Sequence, residues 1–550
     1  MKKTITFLLL IVYTVILLSG CNQSSDISNI SSSEPTQNIK SASDTIRLLY
    51  SSKDSLDPFV CVTEQNADLA QLIFDPLLII NNNYEIEYRL AKKVELVDTA
   101  CTITLINAKF SDGTAVTADD VVFSFNKAKK STTTRHASAL KYASSAVAEN
   151  SSTVKITLKR KDPYFINLLT FPILKKGSDE LKDTDNQSLV PIGAGRYVFD
   201  NQTATLTQNQ HYYGKKSVIK NIITVDCPDN ESVNQAITAA MVDHYFSDLS
   251  ENTIPKMNGN MVSISQNRIV FIGVNPKHPQ LSNSLFRQAI SSAISRNEIC
   301  SSAYFNNATP ALGPFPSAWK PTEGLLSIQS DFNTDIANKN IEFAGFTKKD
   351  KNGFYLLKNN NPITFSLLVN SGNNSRVLAA NLIAKRLADV GIKINVNAVS
   401  NNRYYSLLRS NQYDLYLGEI RYEDNMDIQG LISLNSASSL LPNSNSSDVS
   451  SGSSNKTNTT SSTASTSNSS NASSTEEILN PGEITLTSFE AYKGFYNGEY
   501  NLTDLITAFN AELPVIPICF KNGMVIYSDR FGNGISPSTT ELFHGIQSLK

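Results

Sequence analysis

The chain has 550 residues, 40% apolar and 18% charged, with 48 basic and 50 acidic residues for a formal net charge of −2. That length exceeds what one hydrophobic core organises, so two or three lobes are expected. The apolar content excludes a wholly disordered chain, and the charge balance leaves no electrostatic footprint for nucleic acid. The five histidines, His136, His211, His244, His278 and His544, are scattered without HExxH or zinc-type spacing, so no metal or other cofactor is expected. Cys61, Cys101, Cys227, Cys300 and Cys519 are widely spaced, with no CxxC. They read as buried thiols with room for one disulfide.

Lys2 and Lys3 precede an apolar run, Phe7 to Leu18, that is short for a membrane span. "LLSGC" then ends at Cys21 and resembles the lipobox of bacterial lipoproteins. That resemblance implies a signal peptide over residues 1–20, a diacylglycerol on the Cys21 thiol and often an acylated, palmitate-type amino group. The mature protein would be anchored at the extracellular face of the cell membrane. Residues 21–44 are rich in Ser, Asn and Gln and read as a flexible tether. "TIRLLYSS" is strand-like, and "SLDPF" stops it with a proline turn. A helix follows in which Leu69, Leu72 and Ile73 share one face.

The next informative stretch is "FSDGTAVTADDVVFSF", Phe110 to Phe125, with three aspartates close together. Thr102 to Leu105 before it alternates as a half-buried strand does. Asp112-Gly113 is a turn pair, because glycine tolerates positive φ. Thr117 stands where a helix N-cap belongs, and Asp120, three residues on, suits a capping box. Asp119 and Asp120 meet the positive end of the helix dipole, while Lys127, Lys129 and Lys130 suit its negative end. Val121, Phe125 and Ala128 form the buried stripe. The three aspartates therefore read as architecture rather than as a catalytic or metal site.

The same stretch resembles the signature of the family 5 extracellular solute-binding proteins, the peptide, dipeptide and nickel receptors of ABC importers. Other pieces agree in order. "SLDP" is similar to the family's first strand-loop. "PIGAGRYVF" resembles its P-x-G-T-G-P-Y segment, with Ala194 for Thr and Arg196 for Pro. "QNQHYYGKKSVIKNI" resembles R-N-x-x-Y-W-G, with Tyr213 for Trp. "FIGVNPKHPQLSNSLFRQAISSAISRNEI" is similar to the segment that opens the second lobe. "YDLYLGEIRYEDNMDIQGL" resembles the cleft segment of a Gram-positive branch, and "FNAELPVIPICFKNGMVIYS" the returning C-terminal piece.

The resemblance implies an α/β fold of the periplasmic-binding-protein type II, with two lobes hinged by two crossing segments. Lobe I would comprise residues 45–76, 191–270 and 505–550, with an extra subdomain at 77–190. Lobe II would be 271–504. The crossings are expected near Asn267 to Gly273 and near Glu499 to Asp504. Residues 436–475, almost all Ser, Asn and Thr, cannot bury enough apolar area to offset ordering entropy and read as a disordered insert. The implied function is non-enzymatic: a monomeric, lipid-anchored receptor that captures oligopeptides and delivers them to ABC-transporter permease subunits.

Ligand would then be held between "YSSKDSLDP" and "LYLGEIRYEDNMD". A buried peptide ammonium needs a fixed carboxylate. By analogy with the family, Asp427 is the first choice, with Asp424, Glu423 and Glu419 as rivals. The alternative makes Glu423 and Asp424 solvated loop charges. Asn425 is grouped with the same ligand segment. Arg421 reads either as a bidentate partner of a ligand carboxylate or as a surface residue, and Tyr422 would narrow or shield the pocket. On the opposing side Ser52, Lys53 and Asp54 align with the strand that contacts ligand main chain in peptide receptors. Trp319, in "GPFPSAW", either stacks on ligand at the cleft mouth or belongs to the core. Receptors for other solutes, such as a nickel chelate or an amino-acid derivative, and a peptide-sensing receptor remain alternatives. A hydrolase would need a nucleophile-base pair or poised carboxylates, and no GxSxG occurs.

Overall fold

A computed structural model describes residues 43–249, 257–325, 332–433 and 486–549. The leader, Cys21, nearly all of the expected tether and the expected insert at 436–475 lie outside the described residues. Among those described, no helix is long and apolar enough to cross a membrane.

The first lobe is built on a four-stranded sheet. Thr45–Tyr50 runs parallel to Asn221–Asp226, followed by Thr205–Gln208 and Tyr197–Asp200 in antiparallel order. Helix Glu64–Ile73 packs here through Leu69, Leu72 and Ile73. The "PIGAG" glycines allow its C-terminal turn to approach. A Cβ on Gly195 would lie 2.5 Å from Ile73 C, and the Gly195 amide donates to Ile73 O at 2.8 Å. Two of the three departures from the family pattern, Arg196 and Tyr213, are partnered polar side chains. Arg196 is buried and donates to Glu541 at 2.5 Å, and the Tyr213 hydroxyl donates to Asp75 at 2.5 Å.

The 77–190 region carries its own antiparallel sheet, Ala91–Val97, Ala100–Leu105, Thr153–Leu158 and Ala143–Asn150 in that order. Alternation along Ala100–Leu105 buries Cys101, Ile103 and Leu105. Helix Ala118–Lys130 covers the sheet with Val121, Phe125 and Ala128 at 0% exposure. Its start is the reciprocal cap that Thr117 and Asp120 imply. The Thr117 amide and hydroxyl both reach Asp120 Oδ2, at 2.8 and 2.7 Å. Asp112 binds the Thr114 amide around Gly113, whose φ is +85°.

A seven-stranded sheet organises the rest. Its path runs His244–Ser247, Val515–Tyr527, Asn260–Val274, Leu415–Arg421, Thr364–Asn370 and Lys393–Val399, with Ala308–Pro310 beside Val515–Tyr527. Two of these strands pass between the lobes. In Asn260–Val274, Ile264 joins the first-lobe core, whereas Ile269, Val270, Phe271 and Ile272 enter second-lobe clusters. In Val515–Tyr527, Val515 to Phe520 belong to the second lobe, and Val525 and Tyr527 to the first. The change falls at a register shift between Ser265 and Arg268, opposite Lys521 and Asn522, where Asn267 takes φ +56°.

The first crossing falls at Ser265 to Arg268, against an expectation of Asn267 to Gly273. The return does not lie at Glu499–Asp504. Helix Leu502–Glu512 buries Leu505, Ile506 and Phe509 in the second lobe, so the chain recrosses within Val515–Tyr527, about residues 521–523. The five cysteines after Cys21 are buried and free.

A charged seam and an unpaired arginine between the lobes

The loop after strand Leu415–Arg421 is the second lobe's main contact with the 77–190 region. It turns at Met426, whose φ is +57°. Arg135 Nη2 pairs with Asp424 Oδ2 at 3.2 Å, and Asn167 donates to the Asp424 carbonyl at 3.1 Å. Asn425 donates to Asp162 at 2.7 Å. Burial raises the Asp162 carboxyl pKa, against the hydrogen bond from Asn425. Tyr142 donates to Gln429 at 2.8 Å, and Lys320 pairs with Glu85.

Asp427 sits in the most elaborate part of this seam. Its Oδ2 accepts from Arg160 Nη2 at 3.0 Å, and its Oδ1 accepts from the Tyr492 hydroxyl at 2.9 Å and the Gln429 amide at 3.0 Å. The Arg160 guanidinium also donates to Tyr492 at 2.8 Å. It stacks on Tyr142 and Tyr496, each ring centroid 3.6 Å away. Cation–π contact and the ion pair reinforce each other where water is thin. Trp319 lies nearby but is 2% exposed, 4.7 Å from the Tyr164 ring and 5.1 Å from Phe315.

Glu419 is a framework charge. Arg376 donates to it at 2.8 Å, Arg268 at 3.2 Å, and Lys521 lies at 3.5 Å. Burial alone would raise its pKa, but Arg376, Lys521 and Arg268 outweigh it and bring the carboxyl to about 2. Arg421, two residues on, has a different environment. Its side chain is exposed, and among the described residues no hydrogen bond or ion pair engages its guanidinium. Protein still crowds it. Burial, then Arg135 and Arg268, lower its pKa to about 9 against Asp424 and Glu423. Tyr422 is buried, its hydroxyl donating to Pro314 O at 2.7 Å.

On the first lobe, the exposed Ser52 donates through both amide and hydroxyl to Asp226, at 2.8 and 2.7 Å. Lys53 is exposed. Asp54 accepts from the Val62 amide and from the Thr63 amide and hydroxyl at 2.7 to 2.9 Å. Although burial works against it, these bonds hold its carboxyl below the usual range and anchor the start of helix Glu64–Ile73. The structure therefore gathers Asp427, Asn425, Arg421 and Glu419 on one strand and its loop. Among the described residues, no hydrogen bond or ion pair joins that set to Ser52, Lys53 or Asp54.

Two cavities, about 290 and 460 Å³, flank the first-lobe segment Val62 to Glu64. Arg135 stands on the wall of the smaller. Sequence reasoning missed Val62 to Glu64, Arg135, Tyr142 and Arg160. Their positions depend on contacts made in the folded chain, and no local pattern marks them.

This architecture has known relatives. The model of bacterial extracellular solute-binding proteins, family 5 Middle, matches residues 85–439. The chain belongs to bacterial extracellular solute-binding protein family 5. It is 22% identical over 418 residues to the oligopeptide-binding protein AppA of Bacillus subtilis, covering 72% of this chain and 76% of AppA. It is 24% identical over 389 residues to the periplasmic oligopeptide-binding protein OppA of Salmonella typhimurium, covering 62% and 68%. The fold is similar to NikA from Brucella suis in complex with Fe(III)-EDTA. The TM-score is 0.61 at 15% identity, over 92% of this chain and 99% of that one. Members of the family are extracellular or periplasmic, bind peptides or other small solutes and work with ABC-transporter permeases.

Proposed function

We propose that this protein is a monomeric receptor, anchored by lipid at Cys21, that encloses oligopeptides between its lobes and hands them to a membrane permease without catalysis. One observation carries the reading: the lobes have their own apolar cores and are joined by two strands, while the interface between them is largely a seam of ion pairs and hydrogen bonds. Among the described residues, only Tyr84 and Tyr164 of the first lobe pack against the second-lobe apolar cluster. The polar groups of such a seam can pass to water when it parts, whereas those of a shared apolar core could not. Opening about the 265–268 and 521–523 break would part the contacts that Asp424, Asn425 and Asp427 make with Arg135, Asp162 and Arg160. An extended peptide would present its backbone groups as in β-augmentation. Of the candidate residues, Arg421 and Lys53 keep charges open to solvent and are assigned to touch ligand. Asp427 and Asn425 hold the seam, and Glu419 the framework. The oligopeptide-binding relatives AppA and OppA support peptide as the ligand class.

The test is native mass spectrometry of the detergent-extracted full mature chain. A retained mixture of short peptides and a diacylglyceryl mass on Cys21 are expected. A single small metabolite or metal chelate in place of peptides would refute the ligand class. An unmodified Cys21 would refute the anchor.

A further inference from the structure

We propose that Cys300 and Cys519 are an oxidisable pair, which closes into a disulfide inside the second lobe when the chain meets a small-molecule disulfide. Members of the family work outside the cytoplasm, where such bonds persist. Cys300 and Cys519 lie in one buried cluster of the second lobe. Cys101 belongs to the first-lobe core, Cys227 to another cluster, and Cys61 to the wall of the 290 Å³ cavity. Helix Arg296–Ser302 brings Cys300 to the cluster, and strand Val515–Tyr527 brings Cys519. Ile516 and Ile518 point into it, so regular alternation would send Cys519 to the opposite face. A register shift prevents that. Cys519 pairs with Val270 and Pro517 with Phe271, which leaves Ile518 as an extra residue. After this bulge Ile518 and Cys519 share one face, and Phe520 joins the other cluster.

The two segments are fastened on either side of the pair. Arg296, one helical turn before Cys300, donates through Nε to Pro517 O at 2.9 Å. Past the helix the chain returns as Ala308–Pro310, where Pro310 is the register partner of Cys519 and Ala308 of Lys521. The Ala311 amide donates to Ile518 O at 3.1 Å, and the Asn522 amide to Asn307 O at 3.0 Å. Held in this way, the Cys519 side chain hydrogen-bonds to Cys300. Burial, and then that bond, push the Cys519 thiol well above its ordinary pKa. The folded pair is therefore slow, and reacts as the lobe folds or opens locally. Cys300 is 5% exposed against 0% for Cys519, so it reacts first. Its sulfur displaces one thiol from the small disulfide, and Cys519 then displaces the second. Two S–H bonds break and one S–S bond forms, with the two protons and two electrons leaving on the two small thiols. Both residues precede the crossing at 521–523 on the second-lobe side, so the bond does not span the lobes.

The test is peptide mapping of the full mature chain. One sample is taken as extracted, and a second after the folded protein has stood with oxidised glutathione just below its melting temperature. In both, free thiols are alkylated and the chain is digested without reduction. A peptide linking Cys300 to Cys519 is expected in at least the second sample, with Cys61, Cys101 and Cys227 alkylated. Reducing the linked chain should lower its melting temperature by about 5 °C or more, because the long loop between the two residues regains its freedom in the unfolded state. Cys300→Ser should abolish that redox dependence, and if the variant does not fold, the wild-type map decides alone. Alkylation of all five thiols in both samples would overturn the pair. A link from either residue to Cys61, Cys101 or Cys227, or glutathione left on Cys300 or Cys519, would overturn it equally.

Discussion

If the seam holds the lobes together, the Arg160–Asp427 pair should show it most clearly. Asp427→Asn keeps the shape of the side chain and removes its charge. Breaking a fully buried pair by removing one partner costs about 3–5 kcal/mol. Here Asp427 is 5% exposed but Arg160 keeps 19% of its side chain in water, and Tyr492 and Gln429 can still donate to an Asn oxygen. About 2 kcal/mol is expected. Arg160→Met also loses two ring contacts at 3.6 Å, for about 3 kcal/mol. The double variant should cost little more than Arg160→Met, a coupling of about 2 kcal/mol. Because the contacts cross the lobes, the loss should appear as opening rather than unfolding. Labels on each lobe, read by single-molecule fluorescence transfer, should show about a 30-fold change in the open-to-closed ratio. Additive variants, or ratios unchanged within about twofold, would refute the reasoning. The same variant also tests a direct ammonium contact. If Asp427 touches ligand, Asp427→Asn should weaken a peptide with a free amino terminus far more than its N-acetyl analogue. A seam role weakens both alike.

Three further outcomes follow from buried groups. Glu419 has a folded pKa of about 2 against an ordinary 4.5, so its contribution is complete above pH 4.5 and fades as pH falls toward 2. Glu419→Gln should cost about 3 kcal/mol in urea unfolding at pH 6, and the gap should narrow toward pH 3. His244 is 4% exposed, and burial lowers its pKa to about 3 despite a hydrogen bond to the Leu542 backbone. The unfolded chain therefore takes up this proton first, so stability is lost as pH drops below 6.5. At pH 5 His244→Phe should recover part of about 2 kcal/mol. Gly195→Ala would place a methyl 2.5 Å from backbone at Leu72 and Ile73, and should lower the urea midpoint by the equivalent of about 2 kcal/mol or more.

What could be read from sequence was short in range or carried by ordered motifs. The Thr117–Asp120 cap, the Asp112-Gly113 turn and the alternation of Ala100–Leu105 each depend on neighbours within a few residues. The order of motifs from "SLDP" to the C-terminal strand was enough to place the chain in its family. Tertiary structure alone decided the rest. Leu502–Glu512 is amphipathic in either lobe, and only its packing moves the second crossing beyond it. Glu419, Arg421 and Asp427 lie along one segment, and only analogy with the family put Asp427 first for the ligand ammonium. Yet Glu419 meets Arg376 from 43 positions away, Asp427 meets Arg160 from 267, and Arg421 is left open. A charge is a ligand contact or a rivet according to its partners and its access to water, and both are set by folding segments that lie hundreds of residues apart in the chain.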